Sequence, residues 1–254
     1  MNEKSLPKVP TVPIFGILVC KWGMSDTVQY LTEAITMRKP HQVITANPIM
    51  VMAALNDPTY RTVMEHAELI VPDGTGVVWA ANVGGNPVQE RVAGFDLLHE
   101  LMRTGESHHW RVYLLGSTAE VIQETALRLQ MQYPGVEIVG YHDGYFGPAD
   151  DAKVIEQIKG TNPDILFVAR SSDTQEPWIH QYKEQLNVPL MMGVGGSFDV
   201  ISGKTKRAPV LFQKLRSEWL YRLLSEPTRY RRMLALPQFA VKVLRNKENI
   251  TKPN

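Results

Sequence analysis

Asp73 is the side chain in this sequence best suited to chemistry. It follows the short β-branched run Leu69–Val71 in Pro72-Asp73-Gly74, where the chain leaves a strand and can present a carboxylate to a ligand. An Asp-Gly pair after a strand also makes an ordinary turn, its carboxylate bonding its own backbone. Thr45 and Asn47 close a similar run, Val43–Thr45, and read equally as a strand end and as the cap of a helix begun by Pro48. What lifts all three is an expected convergence. If the two runs are parallel neighbouring strands, Thr45, Asn47 and Asp73 emerge at one sheet edge, where open α/β sheets bind ligands. Gly195-Gly196-Ser197 ends another strand, and its glycine N–H groups suit an anionic phosphate. Arg91, in Gln89-Glu90-Arg91-Val92-Ala93-Gly94, reads as a phosphate fork or as the partner of Glu90.

The elements that must position these residues alternate. Pro13–Val19 reads as a first strand, and Ser25 or Asp26 as the cap of a helix bearing Val28, Leu31 and Ile35. A further helix starts at Asp57-Pro58, and Gly76–Val83 and Phe95–Met102 read as helices. Arg111–Leu115, Val136–Tyr141, Asp164–Val168 and Leu190–Val194 read as strands, Ala119–Gln132 as a helix, and Ser171–Thr174 as a polar turn. Such alternation predicts an α/β fold, a Rossmann-like and mostly parallel sheet with helices on both faces. After Gly203 the pattern becomes basic and helical, over Pro209–Leu224 and Thr228–Leu236, with Pro227 and Pro237 between and after them. We therefore expect an α/β body over 1–203 and a basic helical appendage over 204–254.

The near-neutral charge of +1 conceals an asymmetry: 13 Lys and Arg against 3 Asp and Glu after residue 203, leaving 14 against 23 before it. A basic tail points to an anionic partner or to its own acidic body. Leu211, Phe212, Leu215, Trp219, Leu223 and Leu224 interleave with Lys214, Arg216 and Arg222, a pattern expected of a helix in a lipid headgroup layer. The body, or a second copy of the chain in a homo-oligomer, is the other candidate cover for that stripe. No run of about 18 apolar residues and no signal-peptide core occurs, so the expected place is the cytoplasm or the inner face of a membrane. The single cysteine, Cys20, reads as a buried thiol.

Several chemistries fail on spacing. Gly203-Lys204-Thr205 lacks the first P-loop glycine, since Phe198 stands there, and Trp79 and Phe198 replace the third glycine of a dinucleotide fingerprint. No His-x-x-x-His or Asp-x-Asp occurs, so neither a metal nor another cofactor is expected. A nucleic-acid partner is disfavoured as well, because the tail has no recognition-helix pattern and the body is acidic.

In order along the chain stand Thr45-Ala-Asn-Pro48, Pro72-Asp-Gly-Thr-Gly76, Glu90-Arg-Val-Ala-Gly94, His142-Asp-Gly-Tyr-Phe146, Gly193-Val-Gly-Gly-Ser-Phe-Asp-Val-Ile-Ser-Gly203, Lys206-Arg-Ala-Pro209 and Glu218-Trp-Leu-Tyr-Arg222. Together they resemble the WecG/TagA/CpsF family of bacterial glycosyltransferases over roughly residues 12–235. Within it the chain is most similar to members that move N-acetylmannosamine from UDP to N-acetylglucosamine on undecaprenyl diphosphate in cell-wall polymer synthesis. Those form a β-1,4 linkage with inversion and without a metal. The resemblance implies Asp73 as general base, Thr45 as a nearby hydroxyl, and Asn47, Arg91, Tyr145, Gln175, Gly195, Gly196, Ser197 and Asp199 as substrate-binding residues. It implies that Arg222, Arg229 and Arg232 complete the site from the appendage. It also implies a UDP-sugar donor, a lipid-diphosphate acceptor and a peripheral place on the membrane. A same-family transferase for another UDP-sugar, or a non-catalytic sugar-nucleotide-binding protein, is the alternative. One departure stands out: the family usually has Gly-x-Pro-Lys-Gln-Glu where this chain has Ser171-Ser172-Asp173-Thr174-Gln175-Glu176.

Overall fold

The apolar run near the N-terminus folds as two strands rather than one. β1 (Thr11–Ile14) and β2 (Ile17–Cys20) pair antiparallel across Phe15-Gly16, whose φ angles of 52° and 87° give the twist a two-residue hairpin needs. The expected single strand over Pro13–Val19 missed this because Phe15-Gly16 carries no Asn-Gly or Asp-Gly signal. Cys20 is buried, and burial pushes its thiol up to about 11. The computed structural model describes residues 5–209, 211–212, 218–225, 227 and 230–252.

Six further strands form one parallel sheet. They are β3 (His41–Ala46), β4 (Leu69–Pro72), β5 (Arg111–Gly116), β6 (Glu137–His142), β7 (Ile165–Ala169) and β8 (Leu190–Gly193), in the spatial order β4-β3-β8-β7-β5-β6. Helices fill the connections: α1 (Met24–Met37), α2 (Pro48–Asn56), α3 (Pro58–Glu65), α4 (Thr75–Val83), α5 (Gly94–His108), α6 (Ala119–Gln132), α7 (Asp151–Gly160), α8 (Ser172–Leu186) and α9 (Ser197–Ile201). One face of the sheet is covered by α1, α5, α6 and α9 through Leu31, Leu98, Leu101, Ile122 and Phe198. The hairpin with α2, α3 and α4, and then α7 with α8, cover the other. The sheet is thus the two-faced α/β sheet that the alternation predicts.

Local starts follow capping chemistry. Asn47 Oδ1 accepts from the Ile49 and Met50 N–H groups at 3.0 and 3.2 Å, and Asp57 Oδ1 accepts from Thr59 at 2.8 Å. Ser25 and Asp26 do not cap α1; they lie in its first turn. The Gly23 and Met24 N–H groups instead donate to Gln89 and Glu90 at 3.2 and 2.6 Å. Residues 172–174, expected as a turn, are the first turn of α8.

Beyond residue 203 the described helices are α10 (Glu218–Ser225), α11 (Tyr230–Met233) and α12 (Ala235–Arg245), with no strand among the described residues. Pro237 does not follow the last helix but sits in the first turn of α12, where its missing N–H is tolerated. Phe239 and Val243 of α12, with Ile250 beyond it, are buried in the cluster of the hairpin, α2 and α4. The Phe15 N–H donates to Ile250 O at 2.9 Å. The chain therefore returns to the body after the basic stretch.

Candidate active site

β3 and β4 are parallel neighbours with Thr45 opposite Val71 and Ala46 opposite Pro72. Thr45, Asn47 and Asp73 accordingly meet at the carboxyl end of the sheet. The N–H groups of Asp73 and Gly74 both donate to Ala46 O at 3.0 Å. The helix after β3 goes to one face and the helix after β8 to the other, so their loops part over this edge and leave a crevice. Thr45 lies against the start of α5, since a β-carbon at Gly94 would meet its Oγ1 at 3.0 Å.

Arg91 reaches this corner because the Val92 N–H donates to Pro72 O at 3.0 Å, laying residues 90–92 alongside β4. Its guanidinium bridges two carboxylates, Asp73 Oδ1 at 3.2 Å and Glu218 Oε1 of α10 at 3.2 Å, while its Nε donates to the Asp73 carbonyl. Glu90 is not its partner. Burial alone would lower the Arg91 guanidinium, but Asp73 and Glu218 more than offset this and hold it above its ordinary value. An arginine held this way stays charged and fixes the orientation of the carboxylate beside it.

A second group gathers at the ends of β7 and β8. Gln175 Oε1 accepts the N–H groups of Gly195 and Arg170, each at 3.2 Å, and its Nε2 donates to Glu176 at 2.9 Å. The Gly195 N–H is thus engaged internally; Gly196 is the exposed member of the turn. A β-carbon at Gly193 would push aside the Glu176 carboxylate and the Gln175 amide, so the glycine leaves room for both. Ser197 is buried with its hydroxyl donating to Val194 O at 2.7 Å. Asp199 meets Lys204 at 3.3 Å and accepts from Ser117 at 3.4 Å.

Other sequence-expected residues lie apart. Tyr145 follows β6 at the far end of the sheet, five strand spacings of about 4.8 Å from β4, and is 80% exposed. Arg232 donates to Ser172 Oγ at 3.1 Å and faces Asp173 at 3.7 Å. There it rims a hollow of about 290 Å³ floored by Ile49, Met50, Tyr60 and Pro177. A larger hollow of about 540 Å³, lined by Phe95, His99, Arg128 and Met131, includes none of the expected site residues. Arg222 belongs to α10, which Glu218 ties to the Asp73 corner; Arg229 lies outside the described residues. The structure adds Arg170, Glu176 and Glu218, none of them singled out by spacing. Among the described residues no three His, Cys, Asp or Glu side chains gather as a metal site, and no helix is long and apolar enough to cross a membrane.

The family model described as the glycosyl transferase WecG/TagA/CpsF family matches residues 12–253. The chain belongs to that family. It is a glycosyltransferase, and its relatives include proteins named N-acetylglucosaminyldiphosphoundecaprenol N-acetyl-beta-D-mannosaminyltransferase. The one from Bacillus spizizenii is 40% identical across 96% of this chain and 95% of the relative. Those from Bacillus subtilis and Staphylococcus aureus are 37% and 38% identical, covering 94% and 83% of this chain and 93% and 82% of the relatives.

Proposed function

We propose that this glycosyltransferase moves N-acetylmannosamine from UDP to N-acetylglucosamine carried on undecaprenyl diphosphate, inverting the sugar carbon to give a β-1,4 linkage. The observation that carries the reading is identity of 37–40% over at least 93% of both chains to relatives named for that transfer. In the proposed step the acceptor O4 attacks C1 of the mannosamine unit as its proton passes to Asp73. The C1–O bond to the β-phosphate breaks, and its electron pair leaves with UDP. General-base assistance of this kind contributes about 10²–10⁴-fold. The charge that develops on UDP falls to arginines, which stay protonated and can pair two phosphate oxygens at once. This reading brings Arg222, Arg229 and Arg232 over the edge onto the diphosphates, with Thr45, Asn47, Gln175 and the Gly195–Ser197 turn lining the pocket. It divides the chain into a catalytic body over 1–203 and an appendage over 204–254. The appendage, basic and with Leu211, Trp219 and Leu224 exposed, would rest on the anionic inner face of the membrane.

The test offers UDP-N-acetylmannosamine, UDP-N-acetylglucosamine and UDP-glucose with a short-chain lipid-diphosphate acceptor, and reads the product linkage. Asp73→Asn is expected to bind UDP as the wild type does and to turn over about 10²–10⁴-fold more slowly. Undiminished turnover in that variant removes Asp73 from the mechanism. Product from a different UDP-sugar alone removes the mannosamine assignment.

A further inference from the structure

Arg170 is the first residue after β7, which lies in the sheet between β8 and β5. Its main-chain N–H is held at 3.2 Å by Gln175 Oε1, the same oxygen that takes the Gly195 N–H at 3.2 Å. One amide therefore fixes the backbone of Arg170 and of the exposed glycine turn together. The guanidinium lies over the Phe146 ring, 4.9 Å from its centroid. That ring is itself wedged edge-on against Trp178 at 6.1 Å, whose indole N–H donates to Asp151 at 2.8 Å. The platform is half-buried and braced, and it orients the cation without neutralising it.

Among the described residues no carboxylate lies within ion-pair distance of Arg170, which is half-buried. Arg91 and Arg232 differ in this, being paired with Asp73 and Glu218 and with Asp173 respectively. A half-buried guanidinium at the carboxyl end of the sheet, on a backbone tied through one amide to an exposed glycine turn, is suited to two oxygens of one anion. β7 stands three strand spacings from β4, roughly 14 Å, so an arginine there and a base at Asp73 bracket a glycosyl diphosphate rather than share one atom.

We propose that Arg170 binds the diphosphate of the nucleotide donor, together with the Gly195-Gly196 turn. The inference rests on the reading of this edge as a sugar-nucleotide site and names the cation on the donor side of it.

Calorimetric titration of the full-length protein and of Arg170→Gln and Arg170→Lys with UDP, uridine and a short prenyl diphosphate tests it. Arg170→Gln is expected to weaken UDP at least tenfold and to leave uridine unchanged. Arg170→Lys, which keeps the charge and the aliphatic stem but not the fork, is expected to fall between. In the transfer assay the donor KM should rise by a similar factor with kcat changed less, whereas a loss of folded protein lowers kcat alone. UDP binding by Arg170→Gln equal to wild type overturns the assignment, as does a loss confined to the prenyl diphosphate. A wild type that binds no UDP fails the sugar-nucleotide reading itself and takes Arg170 down with it.

Discussion

Glu176 sits wholly inside the protein, packed against Gly193, and among the described residues nothing basic would neutralise its carboxylate when it ionises. Its carboxylate accepts from Gln175 Nε2 at 2.9 Å and Gln42 Nε2 at 3.1 Å, and among the described residues no Lys or Arg reaches it. Burial pushes its carboxyl from 4.5 up to about 7, the two amide bonds pulling the other way. The native state therefore holds this proton more tightly than the unfolded chain. Stability from it is complete below the unfolded value of 4.5 and is lost as pH rises through about 7. Integrating between those values, one group accounts for about 2.5 kcal/mol between about pH 5 and pH 8. Tyr60, pushed up by burial and then by the same carboxylate, stays neutral across that range. Glu176→Gln keeps the volume and an acceptor oxygen but cannot titrate. Urea unfolding of both proteins at several pH values should show the variant gaining on the wild type as pH rises, by about 2.5 kcal/mol over that interval. Every other titrating group cancels in the difference. Parallel stability curves would refute the reasoning, because they would mean that the carboxylate is solvated or paired in solution.

The remaining predictions concern the end of the chain. Phe239→Ala removes a side chain only 1% exposed beneath the hairpin and α2, and should cost about 3–5 kcal/mol in urea unfolding; a loss under 1 kcal/mol would mean that α12 is not docked. Leu211, Trp219 and Leu224 are 65%, 43% and 66% exposed, so changing all three to Ser should leave the melt unaltered. The same triple variant should sediment at least tenfold less with anionic liposomes, and unchanged sedimentation would end the membrane role of that surface.

Much of this site was legible because parallel strands buried on both faces leave continuous apolar runs with abrupt polar ends. Val43–Thr45 and Leu69–Val71 are such runs, so Thr45, Asn47 and Asp73 could be placed at one edge before any coordinates. The hairpin was not legible, since Ile14–Cys20 stays apolar through its own turn. Nor was α12, because Pro237 reads as a stop although a helix accepts it in the first turn. Arg170 and Glu176 were beyond reach for a different reason. Their roles depend on neighbours 17 or more residues away, Gly195 and Phe146 for one, Gln42 and Gly193 for the other, and local spacing carries no trace of such contacts. The internal use of the Gly195 N–H follows the same logic: the glycine pair was visible, but not the amide that claims half of it.

The two arginines at the crevice differ in what they are free to do. Arg91 divides itself between Asp73 and Glu218, and its guanidinium is committed to both carboxylates. A carboxylate oriented in this way suits the proton-accepting end of a transfer. Arg170 has an aromatic ring beneath it and no described carboxylate in reach, so an anion meets attraction there without first displacing a partner. On the proposed chemistry the base therefore lies toward β4 and the leaving group toward β7, with the sugar between them over β3 and β8. That polarity follows from where the carboxylates are, and it makes Glu218 the link that holds α10 to the basic end of the reaction. Its loss should loosen the appendage helix, and Arg222 with it, from the Asp73 corner.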